Sequence, residues 1–576
     1  MDYIKEYEKW LEKIPSDDKE ILDELNEIKD NDKEIKERFI KPLEFGTGGL
    51  RGIIGAGINR MNTYVVGQAT QGLSNVIINL GEDAVKKGVV ISYDSRKNSD
   101  LFAKESARVL AANGIKAYLF NELHPVPMLS FAIRELKAIA GIMITASHNP
   151  AQYNGYKAYW EDGSQLPPEF ADKVLKVILE SDIFDGVKRA DFDEAVKSGM
   201  IEIIGEEIDA RFSEEVLKLS LNNEVVKQVA DDFSIIYTPL HGSGNKPVRR
   251  VLKEAGHKNI IVVKEQENPD PMFSTVESPN PENKEGFTIA IEKYAKNSDV
   301  DLIIGTDPDC DRVGIVVKDK SGEYITMTGN QVGVLLTNYI LTALKEQNKL
   351  PEDGAVIKSI VSTKMVEPIC EDFGIDMINV LTGFKFIGEK ILQFEESKNG
   401  TFLFGFEESY GYLSGTHSRD KDGVNASMLI AEMAAYYKTK NMSLYDALKE
   451  LYEKYGYYNE KVLSVTMPGL DGMERIKQLM VDLRAVPKAF AGVETVAFSD
   501  IKESKKICLK TGKEEPIDLP KSDVLRFDLE DDTTIFVRPS GTEPKIKAYI
   551  MVKGTSEKDA NEKIEKFEKS VLEILK

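Results

Sequence analysis

Val89-Val90-Ile91-Ser92-Tyr93, an apolar run, passes directly into the polar tripeptide Asp94-Ser95-Arg96. Apolar residues in a short unbroken run read as a strand buried on both faces, the kind found in a parallel sheet. A helical pattern follows from Leu101 to Ala112, ended by Gly114, and a second strand runs from Ala117 to Phe120. A third strand, Gly141 to Ile144, opens into Thr145-Ala146-Ser147-His148-Asn149-Pro150. The pattern then recurs. Ser234 to Tyr237 leads to Thr238-Pro239-Leu240-His241-Gly242, a helix ends near Gly256, Ile260 to Val263 is a strand, and Asp301 to Ile304 opens into Gly305-Thr306-Asp307-Pro308-Asp309-Cys310-Asp311. In a third copy Ala355 to Val361 leads to Ser362-Thr363-Lys364, a helix stops at Gly374, Met377 to Val380 is a strand, and Thr401 to Phe404 opens into Gly405-Phe406-Glu407-Glu408-Ser409. Such alternation predicts three open α/β sheets with their ligand-binding loops beyond the carboxyl ends of the strands.

Outside the repeats, residues 1–40 read as a charged helical arm. Pro15-Ser16 marks a helix start, and Tyr3, Tyr7, Trp10 and Leu11 form an aromatic stripe to pack on the body. From about Tyr457 the pattern changes to strands near Asp523–Phe527 and Thr534–Val537 and a closing charged helix from about Asp559 to Leu575, a smaller α+β domain. The expected division is 1–40 arm, 41–210 domain I, 211–322 domain II, 323–456 domain III and 457–576 domain IV.

The chain of 576 residues carries 75 Lys and Arg against 96 Asp and Glu, a net charge of −21, so nucleic acid and anionic lipid are disfavoured partners. Any anionic substrate needs a locally basic pocket, which makes clustered cations informative. Cys310, Cys370 and Cys508 are scattered, without a CxxC pair, and predict neither a disulfide framework nor a zinc site. Met1 to Pro15 lacks the apolar core of a signal peptide, and no apolar run reaches membrane-spanning length, so a cytoplasmic protein is expected.

Asp307, Asp309 and Asp311 alternate between the strands Leu302–Ile304 and Val313–Val317. Read as an extended segment, alternation would aim three carboxylates at one point. Two such charges 4 Å apart repel by about 4 kcal/mol at an effective dielectric of 20, so a cation is the natural compensation. Few hard oxygen ligands, with room for a phosphate oxygen, favour Mg²⁺. A calcium EF-hand fails, because Arg312 stands where Gly is needed and Lys318 where Glu is needed. Ser147 sits in a strand-end loop with His148 beside it as a candidate base, and no G-x-S-x-G elbow surrounds it. Arg538-Pro539-Ser540-Gly541-Thr542-Glu543-Pro544 combines a guanidinium fork, two hydroxyls and an approachable backbone, the makings of a phosphate cradle. Gly46-Thr47-Gly48-Gly49-Leu50-Arg51-Gly52 has similar logic with one guanidinium. Glu407-Glu408-Ser409 offers partners for adjacent sugar hydroxyls, and His417, Arg419 and Lys421 form a basic cluster.

Thr145–Pro150, Asp307–Arg312, Glu407–Ser409 and Arg538–Pro544, in that order, resemble the α-D-phosphohexomutase superfamily from about residue 40 onward. Arg38-Phe39 followed by Phe45–Gly52 resembles its longer phosphoglucomutase branch, which includes phosphopentomutase-like members. The resemblance implies an α/β fold of four domains around a central cleft, three similar sheet domains and a smaller C-terminal one, acting as a monomer. It implies a mutase that interconverts glucose 1-phosphate and glucose 6-phosphate through glucose 1,6-bisphosphate, with mannose phosphates also accepted. Ser147 would carry the phosphoryl group and, with Asp307, Asp309 and Asp311, hold Mg²⁺. Arg51, His148 and Lys157 match positions near the reacting phosphate. Arg312, Thr382, Gly383, Glu407 and Ser409 match sugar-binding positions, and Arg538, Ser540, Gly541 and Thr542 match the grip on the phosphate not being transferred. Tyr412 stands where the bacterial phosphomannomutase branch has a histidine, which leaves the general base open between His417 and Lys421. Glu408, in place of the glutamine of the phosphoglucosamine branch, argues against an amino sugar. A phosphopentomutase, a hexose 1,6-bisphosphate synthase using the same site, and a non-catalytic sugar-phosphate sensor are the alternatives.

Overall fold

The computed structural model describes residues 2–46, 49–467, 472–540 and 545–575. Its chain divides into two compact units, one holding residues 1–317, 324–326 and 411–439, the other the remainder.

In the first unit, Ala140–Ile144, Val89–Tyr93, Ala117–Phe120 and Ile201–Ile204 run parallel in that order. Tyr153–Trp160 lies antiparallel against Ala140–Ile144, and Gly49–Ile53 lies antiparallel beyond it. The second sheet of this unit repeats the plan. Val313–Lys318 is antiparallel to Leu302–Thr306, which runs parallel to Ser234–Thr238 and then Asn259–Val262. In both, the strand carrying the most polar loop lies between an antiparallel strand and the first strand of its repeat, the topology expected of a duplicated unit. The copies differ in one crossover. Between Asn259–Val262 and Leu302–Thr306 the chain makes a four-residue helix, Lys264–Glu267, and short 3₁₀ and π turns, Lys284–Phe287, Ala290–Tyr294 and Ala295–Asn297, in place of a long regular helix.

The helical arm packs onto the first sheet domain. Trp10, wholly buried, meets Phe39, Tyr64 and Phe184 edge-on at 5.4–5.6 Å between ring centroids. Large apolar side chains buried this way contribute about 1.5–3 kcal/mol each. Its second helix, Lys19–Glu27, starts later than Pro15-Ser16 suggested. Asp18, not Ser16, is the cap, and its carboxylate accepts from the Ile21 N–H, where negative charge also suits the helix amino end.

In the second unit, Gly354–Ser359 pairs in parallel with Asp376–Val380 on one side and Thr401–Glu407 on the other. The last strand runs three residues beyond the expected end at Phe404, because Gly405 and Phe406 stay in register with Ile357 and Lys358. Glu407 therefore ends a strand and is not a loop residue. The C-terminal part is a largely antiparallel sheet in the order Tyr457–Thr466, Lys545–Gly554, Thr534–Pro539, Leu525–Leu529, Val493–Asp500, Lys505–Cys508, Glu514–Pro516. The helix Glu557–Leu575 buries Ala560, Ile564, Phe567, Val571 and Leu575, a stripe at helical spacing, in the core of that domain. Among the described residues no helix is long and apolar enough to cross a membrane.

Candidate active site

The acidic loop is a turn, which corrects the extended reading. Cys310 takes a left-handed φ of 51°, and its N–H donates to the Asp307 carbonyl at 2.9 Å, folding the segment back between its strands. The three carboxylates still converge: one oxygen from each of Asp307, Asp309 and Asp311 lies within 4.8 Å of the others, and all three residues are buried. Asp307 Oδ1 accepts from the N–H groups of Asp311 and Arg312, at 3.1 and 3.0 Å. One oxygen each of Asp309 and Asp311 is buried with no hydrogen-bond partner. Burial and its two carboxylate neighbours push Asp307 well above the usual range. Burial works in the same direction on Asp311, but Lys421 and Lys157 outweigh it and hold that carboxyl low. Buried, partly unpartnered oxygens in a like-charged cluster fit a hard divalent cation.

Against this cluster stands Ser147, buried and left-handed at φ 53°, at the end of the strand Ala140–Ile144. Its hydroxyl donates to Asp307 Oδ2 at 2.9 Å, and His148 Nδ1 lies 3.1 Å from Ser147 Oγ. Burial, with the positive charge of Arg312 and Arg51, pushes His148 well below its ordinary value. The loop is built around Arg96. This wholly buried guanidinium donates to the carbonyls of Pro150 and Tyr153 at 2.9 and 3.1 Å, of Ser147 at 2.5 Å, and of Asn149. Its charge is answered by Asp94 at 3.2 Å, and its plane lies 5.0 Å from the Phe273 ring centroid. Asp94 in turn accepts from the Thr145 hydroxyl, whose oxygen receives the Ser147 N–H.

The cations come from two segments of the same unit. Lys157, on the strand Tyr153–Trp160, places Nζ 2.8 Å from Asp309 Oδ2 and 3.6 Å from Asp311. Lys421 places Nζ 3.1 Å from Asp311 and 2.9 Å from Asp420. Its loop is fastened to the acidic turn by the Gly423 N–H, which donates to the Cys310 carbonyl at 3.0 Å. Arg312 pairs with Glu282, and Arg51 Nη1 donates to Asn149 Oδ1 at 3.3 Å. His417 faces elsewhere. Its Nε2 pairs with Asp422 at 2.6 Å, its ring lies 5.7 Å from that of Phe212, and it lines a cavity of about 390 Å³ with Phe131, Arg134 and Leu219.

In the second unit, the Gly383 N–H donates to Glu407 Oε1 at 2.6 Å, and the neighbouring Thr382 hydroxyl oxygen is buried without a partner. Gly383 has φ 121°, a conformation that favours glycine. Ser409 is half-buried in the turn after that strand. Glu408 is occupied structurally, accepting from Ser359 and Ser362 at 2.9 and 3.3 Å. Arg538, near the end of the strand Thr534–Pro539, places its fork on the Tyr549 hydroxyl at 3.0 and 3.3 Å, and the Ser540 N–H donates to the Lys545 carbonyl at 2.7 Å. Gly541 and Thr542 lie outside the described residues.

Four family models match in series: phosphoglucomutase/phosphomannomutase α/β/α domain I over residues 42–183, domain II over 210–322, domain III over 328–455 and the C-terminal domain over 476–570. The chain belongs to the phosphoglucomutase/phosphomannomutase family. The phosphoglucomutase of Staphylococcus haemolyticus (strain JCSC1435) is 36% identical over 524 residues, 89% of this chain and 90% of that protein. That of Staphylococcus aureus (strain MRSA252) is 36% identical over 535 residues, 93% and 94% of the two chains. In fold, the chain is similar to the open form of pp63/parafusin, a phosphoglucomutase from Paramecium, with TM-score 0.64 and 18% identity over 93% of this chain and 95% of that one. A phosphoglucomutase/phosphomannomutase family protein from Burkholderia thailandensis superposes equally well, at TM-score 0.64 and 17% identity over 92% and 97%.

In this member of the family, the first unit gathers Ser147, His148, Lys157, Arg312, Lys421 and the three aspartates around one turn, with Arg51 joined to them through Asn149. Sequence reasoning missed Arg96, Asp94, Tyr159 and Asp420. A signal for the first two was present, since Asp94-Ser95-Arg96 is a polar loop ending the strand beside the one that opens into Ser147.

Proposed function

We infer that this mutase-family chain interconverts glucose 1-phosphate and glucose 6-phosphate through a phosphoryl group carried on Ser147, with glucose 1,6-bisphosphate as the intermediate. The observation that carries the reading is the Ser147 hydroxyl seated on Asp307 at 2.9 Å, inside a ring of three carboxylates and two lysines. Asp307, Asp309 and Asp311 would hold Mg²⁺ together with an oxygen of the Ser147 phosphate. When bound, the ion supplies charge neutralisation to the phosphoryl oxygens, the main requirement of phosphoryl transfer.

The remaining chemistry belongs to the side chains. A sugar hydroxyl attacks the phosphorus on Ser147 and the P–Oγ bond breaks, while the Lys421 ammonium gives a proton to the departing Oγ and takes up the proton of the attacking hydroxyl. Serine Oγ ends as a hydroxyl, the species seen hydrogen-bonded to Asp307. The resulting bisphosphate turns over, Ser147 attacks its other phosphate, and Lys421 takes the Ser147 proton as it returns one to the departing sugar oxygen. Lys157 and Arg51 balance the charge of the group in flight. Glu407, Ser409, Thr382 and Gly383 take sugar hydroxyls, and Arg538 with Ser540, Gly541 and Thr542 takes the distal phosphate. Burial keeps water from the phosphoserine.

The test is conversion of glucose 1-phosphate to glucose 6-phosphate with Mg²⁺ and a trace of glucose 1,6-bisphosphate, alongside Ser147→Ala. Turnover that disappears in the variant and with chelator supports the reading. Faster turnover of mannose or ribose 1-phosphate would move the substrate. Silence on every sugar, with no phosphate recovered on Ser147, would overturn it.

A further inference from the structure

Lys157 and Tyr159 stand two residues apart on the strand Tyr153–Trp160, so both side chains leave the same face of the sheet. Lys157 goes to the acidic turn. Tyr159, wholly buried, donates its hydroxyl to Asp420 Oδ2 at 2.9 Å. The other oxygen of Asp420 accepts from the Lys421 backbone N–H at 2.8 Å and from Lys421 Nζ at 2.9 Å. Gln165 Nε2 lies 3.4 Å from the oxygen that Tyr159 holds. A buried carboxylate with both oxygens occupied this way cannot rotate without breaking a charge-assisted bond. Its side chain therefore fixes where the ammonium beside it can sit.

The stem of Lys421 is equally confined. It crosses Gly411 so closely that a Cβ there would lie 2.0 Å from Lys421 Cδ. An unbranched side chain of four methylenes would otherwise sample many rotamers, and a proton carrier displaced by an ångström loses much of its advantage. The strand that carries Tyr159 does not depend on these contacts for its place in the sheet. The two neighbouring strands are already paired along their length, with Ala140 opposite Trp160 and Gly141 opposite Tyr159.

We propose that Tyr159 and Asp420 are positioning residues for Lys421, a relay from the first sheet that sets the ammonium at the acidic turn. The inference rests on the reading of Lys421 as the proton carrier, and a double-mutant cycle separates the two. Four proteins would be compared with the wild type in the glucose 1-phosphate assay: Tyr159→Phe, Asp420→Asn, Lys421→Ala and the double variant Tyr159→Phe/Lys421→Ala. Lys421→Ala should lose about 100- to 10,000-fold in kcat, the usual scale of a general acid–base group. Tyr159→Phe should lose about 10-fold or more in kcat, with KM and the Mg²⁺ requirement within about twofold of wild type, and Asp420→Asn should lose more. In the Lys421→Ala background Tyr159→Phe should cost nothing further, because it acts only through that lysine. An unchanged melting temperature in Tyr159→Phe, which removes one oxygen, separates positioning from folding. Full activity in Tyr159→Phe, or an undiminished loss when it is added to Lys421→Ala, would overturn the relay. Wild-type turnover in Lys421→Ala would instead overturn the assignment of the proton carrier, and the relay with it.

Discussion

Replacing Arg96 with lysine tests whether the Ser147 loop is held by that guanidinium or merely passes over it. Arg96 reaches four carbonyl oxygens and Asp94 at once. Lysine offers a single point charge with three donors and no planar fork. At least two of the charged hydrogen bonds are lost, at about 1.5–3 kcal/mol each in gross terms, and partial rearrangement should leave a net cost of about 2–4 kcal/mol. The cost falls on the loop, because Ser147 sits at φ 53°, a conformation about 1–2 kcal/mol above the ordinary basin for a residue with a Cβ. The chain has several domains, so a global melting curve would blur the effect. Amide hydrogen exchange across residues 145–153 reads it directly. A loss of about 2–4 kcal/mol in local stability is about 30- to 1,000-fold faster exchange there, with the strand Val89–Tyr93 little changed. Exchange within threefold of wild type in that peptide would refute the argument that Arg96 organises the loop.

Asp307→Asn should leave the metal-free protein within about 1 kcal/mol of wild type, since its neighbours already disfavour a third charge, yet abolish the gain in melting temperature on adding Mg²⁺. An intact Mg²⁺ shift measured by scanning fluorimetry would contradict this. Gly411→Ala should lower turnover more than stability, because the added Cβ meets the flexible stem of Lys421, and a matched pair of kcat and melting measurements decides it. His257 is buried against Phe233 and burial lowers it to about 4, so it folds neutral. Below its unfolded value near 6.5 the unfolded chain binds the proton first, and stability should fall by about 2 kcal/mol between pH 7 and pH 5. Urea midpoints at the two pH values, compared with His257→Leu, should show that slope largely removed in the variant.

The strand-end loops were legible because each is a local event, an apolar run that stops at a polar turn. That pattern singles out the three aspartates and puts Ser147 in a strand-end loop, while the role expected of Ser147 comes from the resemblance. Even there the backbone differed from the simplest reading. Cys310 turns left-handed and brings the carboxylates together by folding the segment, where the sequence reading has them converge along an extended one. What pattern could not reach were contacts between segments far apart in the chain. Arg96 is polar and sits in a loop, and only the folded chain reveals that it is buried among the carbonyls of residues 147–153, some fifty positions on.

The choice between His417 and Lys421 shows the same limit at close range. Four residues apart in one basic segment, they have equal claims in the sequence. Asp422 separates them. One of its oxygens accepts the Val424 and Asn425 N–H groups at the start of the helix Gly423–Thr439, and the other takes His417 Nε2. Capping a helix is a strong local demand, so this carboxylate is committed, and it draws the imidazole toward the helix end. The same helix start is pinned to the acidic turn through Gly423, which leaves Lys421, two residues earlier, facing Asp311. A helix cap therefore decides which of the two basic residues stands at the acidic turn.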